Sequence, residues 1–172
     1  MIPMLMAMFS QLIINFYSGF EANFQSRVMQ LSDYEEPVSV YPNDVDNDLK
    51  GVFEKYKDLV SADSDVKQFT NISDGLLKVS EENLLDYRKN YVIGGNFEPL
   101  LDDSLPIPPQ ILNSIKINVI TGLYNSIPKH SRPLSMNYIS NALLQNFSGD
   151  GGRKITTSNH PLPFTFTVTL TN

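Results

Sequence analysis

The chain has 172 residues, a length that suits one compact domain, and its 41% hydrophobic and 10% aromatic content provides for a packed core. With a net charge of −6 and lysines and arginines scattered along the chain, it lacks the basic stripe that a phosphate backbone requires, so nucleic acid is not an expected partner. It contains no cysteine, which excludes disulfides, thiolate metal sites and a thiol nucleophile.

Residues 1–20, MIPMLMAMFSQLIINFYSGF, carry no charge. As a helix they would span about 30 Å, the thickness of a hydrocarbon core. Ser10, Gln11 and Asn15 interrupt the apolar run, which fits a helix packed against other membrane helices better than a solitary one. A signal peptide and a buried core helix are the rival readings; against the first, no basic residue precedes the run and no small-x-small site follows it. The expected layout is a membrane segment over 1–20 and one soluble domain over 21–172.

Val38, Val40 and Pro42 read as a strand entering a turn. Residues 44–60 place Val45, Leu49, Val52, Phe53, Tyr56, Leu59 and Val60 on one helical face, with Asn43 as the expected cap. GLLKV at 75–79 reads as a short strand, and Ser80-Glu81-Glu82 as the opening of a helix running to about Arg88. NYVIGGNFEP at 90–99 reads as a strand interrupted by Gly94-Gly95, and 102–110 as a proline-rich connection. Residues 115–125 alternate Ile115, Ile117 and Val119 and form the clearest strand pattern in the chain. Pro133 marks the start of an apolar helix to about Gln145, and 153–163 supply another strand and a turn. Further on, Phe164, Phe166, Val168 and Leu170 alternate with threonines as in a strand. Helices and strands thus alternate, predicting an α/β or α+β fold in layers.

Few residues carry a recognisable chemistry. His130 and His160 sit in separate proline-flanked loops with no carboxylate at helical spacing, so the expectation for both is a structural or exposed role. No elbow glycines surround Ser131. SGDGGRKIT at 148–156 fails as a phosphate-binding loop because Arg153 separates the glycines from Lys154 and strand pattern follows. Glu81, Glu82, Asp102 and Asp103 read as solvated capping or loop residues. Asn71-Ile72-Ser73 and Asn146-Phe147-Ser148 satisfy the N-glycosylation rule, which has meaning if residues 21 onward are extracytoplasmic.

The order of motifs in the second half is more informative. Tyr124-Asn125 ends a strand, His130-Ser131 lies in the next loop, PLSMNYISNALLQ carries Asn137 and Asn141, and Asn159-His160-Pro161 makes a closing turn. In this order they resemble the second large ectodomain of the A subfamily of ATP-binding cassette (ABC) transporters, a family of lipid exporters and flippases. QLSDYEEPVSVY and LLDYRKNYVIGGNF are similar to that family's membrane-proximal segment and its paired-glycine strand. The resemblance implies an integral membrane parent with this domain extracellular or lumenal, lipid as cargo, and partnership with further transmembrane and nucleotide-binding domains. It implies ATP and magnesium only in those other domains, with no cofactor, metal or catalytic residue in this chain. The alternative is a membrane-anchored or secreted ligand-binding or adhesion module that transports nothing.

Overall fold

The computed structural model describes residues 26–99 and 118–159. It divides the chain into two compact units. One combines the two chain ends, and its described part is an antiparallel pairing of β1 (Arg27–Val28) with β6 (Ser158–Asn159). The other, Met29–Thr157, holds β2 (Val38–Pro42), α1 (Lys50–Asp63), β3 (Asp65–Phe69), α2 (Ile72–Glu82), α3 (Leu84–Asn90), β4 (Tyr91–Pro99), β5 (Asn118–Tyr124) and α4 (Ser131–Ser148). The mixed helix and strand composition expected from the sequence is present. Among the described residues no helix is long and apolar enough to cross a membrane, and the expected span at 1–20 lies outside them.

The sheet of the larger unit runs β3-β2-β4-β5. Strands β3 and β4 flank β2 and are parallel to it, while β5 pairs antiparallel with β4 from Ile93↔Tyr124 to Pro99↔Asn118. Alternation along β2 sorts the core into two faces. Tyr41 faces the cluster built with α1 and α4, through Phe53, Tyr56, Val60, Leu134, Tyr138 and Ala142. Val38 and Val40 face Ile72 of α2, Tyr91, and the partly buried Phe69, Leu76 and Tyr87. Helices therefore cover both faces, as parallel strands require.

Several elements differ from their sequence expectation. Residues 75–79 are helical: Ile72, Leu76 and Val79 share one face at helical spacing, and the Asn71 side chain caps the helix by accepting from Asp74 N at 3.2 Å. That helix stops at Glu82, where Asn83 caps α3 by accepting from Asp86 N at 3.1 Å. α1 begins at Lys50 rather than near residue 44, because Asp46 Oδ1 accepts from Asp48 N at 3.1 Å and holds the preceding residues in a turn. Asn43 caps nothing; its amide donates to Thr70 Oγ1 at 3.3 Å. Strand β3 carries no apolar alternation strong enough to announce it, and residues 153–157 are not a strand. The stretches 102–110, 115–117 and 160–172 lie outside the described residues.

The aromatic centre depends on the two glycines of β4. Phe53 packs edge-on against Tyr41 at 5.5 Å and Phe97 at 5.4 Å between centroids, and Tyr56 lies 5.4 Å from Phe97. A Cβ on Gly95 would lie 2.9 Å from ring atoms of both Tyr56 and Phe97, and one on Gly94 would lie 2.4 Å from Val40 Cγ2 on the opposite face. Gly95→Ala is accordingly expected to cost about 1–3 kcal/mol by overpacking, read as a lowered urea midpoint.

Two phenols in this core set an alkaline limit. Burial raises the Tyr56 hydroxyl above its ordinary value of 10.0, and among the described residues that hydroxyl has no hydrogen-bond partner. Burial, and then the hydrogen bond donated to Asp63 Oδ2, raises Tyr138 in the same direction. The unfolded chain therefore loses these protons first, and the stability they supply is complete below about pH 10 and declines as pH rises above it. Tyr56→Phe should retain the neutral-pH midpoint, since it removes an unpartnered hydroxyl, and should flatten the decline between about pH 9 and pH 11 in urea titrations.

Candidate functional site

The end of β5, the loop after it and the start of α4 form one corner, and Asn125 holds it together. Helix α3 runs directly into β4, so the carbonyls of its last turn have no partner within the helix. The Asn125 Nδ2 group supplies one from across the sheet. Its two protons are shared among Tyr91 O at 2.9 Å, Arg88 O at 3.2 Å and Tyr87 O at 3.3 Å. The backbone N–H of Asn125 donates to Val92 O at 3.0 Å, extending the β4–β5 ladder by one bond. On the other side, Asn125 Oδ1 accepts from Ile127 N at 3.1 Å and turns the chain, while its carbonyl accepts from Ser131 Oγ at the start of α4. The same loop is gripped from elsewhere by Tyr34, whose hydroxyl donates to Lys129 O; burial and then the charge of Asp33 raise that phenol.

Three amides along α4 form a second device. Asn137, Asn141 and Gln145 are spaced by four residues and share one helical face. Asn141 binds the backbone of Ile155 as a neighbouring strand would, accepting from its N–H at 2.6 Å and donating to its carbonyl at 3.0 Å. Asn137 donates to the same carbonyl at 2.9 Å, Asn141 also donates to Asn137 Oδ1 at 3.1 Å, and Gln145 Nε2 donates to Arg153 O at 3.2 Å. Arg153 and Ile155 are thus strapped along the helix by side chains, and within the strand and turn expected over 153–163 the described strand is β6 at Ser158–Asn159.

The remaining singled-out residues are dispersed. Tyr124 is half exposed at the end of β5, with the Arg132 guanidinium 5.8 Å from its ring centroid. His130 is exposed and left-handed, with φ 66°, immediately before α4. Asn159 lies in β6, and His160 and Pro161 fall outside the described residues. Asn71 is exposed at the cap of α2, whereas Asn146 lies half buried in the last turn of α4. No group of three or more His, Asp or Glu placed to hold a metal ion occurs among the described residues.

Two cavities bear on binding. One of about 50 Å³ lies between Val40, Leu76, Tyr87, Tyr91, Leu123 and Asn125. That is room for water and well below the size of a small-molecule pocket. The other, of about 670 Å³, is an open groove along α2 between Phe69, Asn71, Asp74, Leu77 and Lys78, and the corner residues do not line it. The corner is therefore built to hold elements together, and the groove of ligand size found among the described residues lies on the α2 side. Leu77, Leu84 and Leu85 add exposed apolar surface on α2 and α3.

No family model matches this chain, and no curated protein matches it. Tyr34 and Gln145 had escaped the sequence reading. Gln145 was detectable as the next member of the Asn137–Asn141 spacing, while the Tyr34 contact to Lys129 joins residues too distant in sequence to be paired by pattern.

Asn125→Ala should lower stability by about 1–3 kcal/mol, because it removes the bonds to the two part-buried carbonyls of Tyr87 and Tyr91, and hydrogen exchange in α3 should accelerate. Asn141→Leu should cost about 1–3 kcal/mol and deprotect the Ile155 amide, with Asn137→Leu the milder change because Asn137 makes fewer of the bonds. Both are measured by denaturant titration with amide exchange.

Proposed function

We propose that this chain is part of the second large ectodomain of an A-subfamily ABC transporter, whose parent protein moves lipid across a membrane. In this reading residues 21–172 are extracellular or lumenal and residues 1–20 belong to a membrane helix. ATP and magnesium act in cytoplasmic domains elsewhere in the parent, and the partners of this domain are lipid, the membrane and the other transporter domains. No catalytic residue is assigned here.

The observation that carries the reading is the ordered set Tyr124-Asn125, His130-Ser131, Asn137 and Asn141, together with the work these residues do. Asn125 and Ser131 bond strand end, loop and helix into one corner, and Asn137 and Asn141 tie Ile155 to the same helix, which suits a scaffold that must keep its shape beside a moving membrane domain. Exposed Leu77, Leu84 and Leu85 suit a surface that meets lipid or another transporter domain.

A second reading has one observation in its favour. The groove of about 670 Å³ along α2 is within the size range of small-molecule sites, as expected of a ligand-binding module without transport activity.

Sequencing the encoding transcript in both directions separates the two. The transporter reading expects several apolar spans in frame, followed by a Gly-x-x-x-x-Gly-Lys-Ser/Thr loop. A transcript that encodes neither leaves the binding module.

A further inference from the structure

The two glycosylation sequons are equivalent as sequence and different as structure. Asn71 is exposed, with extended backbone at φ −125° and ψ 114°, and stands at the turn between β3 and α2. Its capping bond to Asp74 N uses Oδ1 and does not engage Nδ2, the atom that would carry a glycan. Ser73, the third residue of the sequon, is exposed as well.

Asn146 is placed differently. It belongs to the last turn of α4, and its amide rests on Gly51 at the start of α1, so close that a Cβ on that glycine would lie 2.5 Å from Asn146 Oδ1 and 3.7 Å from Nδ2. The absent side chain at Gly51 makes the slot into which the amide fits. Asn146 is half buried, and a glycan on Nδ2 would have to displace its amide from this contact with α1.

We propose that, in a secretory compartment, Asn71 is the N-glycan acceptor of this domain and Asn146 stays unmodified. The donor is a lipid-pyrophosphate-linked oligosaccharide. A bond forms between Asn71 Nδ2 and the anomeric carbon of the first sugar, the anomeric C–O bond to pyrophosphate breaks, Nδ2 gives up a proton, and the lipid pyrophosphate departs with the electron pair. The choice between the two asparagines comes from the structure; its occurrence in the native chain rests on the extracytoplasmic reading above.

The test uses the full chain in eukaryotic cells, expressed both as it stands and behind a cleavable signal peptide, with gel mobility read before and after peptide-N-glycosidase. Leu85→Thr is the control, since it turns Asn83, another exposed helix cap, into the acceptor of an added sequon. Behind the signal peptide the expected result is one glycan. Asn71→Gln should lose it, and so should Ser73→Ala, which spares the Asn71 cap. Asn146→Gln should retain it, and Leu85→Thr should add a second. A glycan that persists in Ser73→Ala and disappears in Asn146→Gln overturns the proposal. So does an unmodified chain whose Leu85→Thr form carries a single glycan. If the chain without the added signal takes no glycan even as Leu85→Thr, residues 1–20 do not translocate it by themselves, and the choice of Asn71 is judged on the signal-bearing form.

Discussion

Helix α3 ends where β4 begins, with no residue between them, and this junction leaves over carbonyls that need partners, two of them in part-buried contacts. The amide of Asn125 meets that demand from the far end of β5. One residue, through its side chain and its backbone, thereby fixes three relations at once. Its side-chain amide holds the end of α3, and its backbone N–H extends the β4–β5 ladder by one bond. Its Oδ1 turns the loop, and its backbone carbonyl accepts from Ser131 at the start of α4. An aliphatic residue of similar size would keep the two backbone bonds and leave the α3 carbonyls and the Ile127 N–H without this partner. An aspartate would face three carbonyls with a negative charge and no proton to donate.

The rest of the larger unit is arranged around the sheet that this junction anchors. Its two faces are loaded unequally. The α1–α4 side carries the buried aromatic cluster and most of the large side chains, whereas the α2–α3 side has a smaller core and more exposed leucine. The paired glycines of β4 let Tyr56 and Val40 approach the strand from opposite sides, so the central strand is thin where the packing is densest. A core made this way is sensitive to added volume on β4 and tolerant of change on the outer surfaces of α2 and α3. Any surface that serves recognition is therefore more easily accommodated on the α2–α3 side, where the open groove also lies.

Much of this was legible in the sequence, and what was not has identifiable causes. Strands β2, β4 and β5 and helix α4 follow from hydrophobic pattern and from Pro133 near a helix start. Residues 75–79 misled because a five-residue apolar run fits a buried strand as well as a helix, and the deciding partner, Ile72, lies just outside it. The start of α1 was displaced because aspartates at 44 and 46 prefer to bond nearby backbone in a turn. β3 was invisible locally: Asp65, Lys67 and Gln68 leave little apolar signal, and the strand exists because β2 lies alongside it. In the corner, the Asn137–Asn141 spacing pointed to amides bonding loop backbone. The partners of Asn125 lie more than thirty residues upstream, and spacing cannot reach that far.

The corner and the amides of α4 constrain the identity of only a few residues. Asn125, Ser131, Asn137, Asn141 and Gln145 all bond to main-chain atoms, with a single side-chain contact between Asn137 and Asn141. A side chain that binds backbone constrains its own identity and its position, and leaves the residue type of its partner free. Arg88, Tyr91, Arg153 and Ile155 contribute only peptide groups to these bonds and can change with little consequence for them. Elements held in this way depend on amides and hydroxyls at a few fixed positions and tolerate change in the side chains around them.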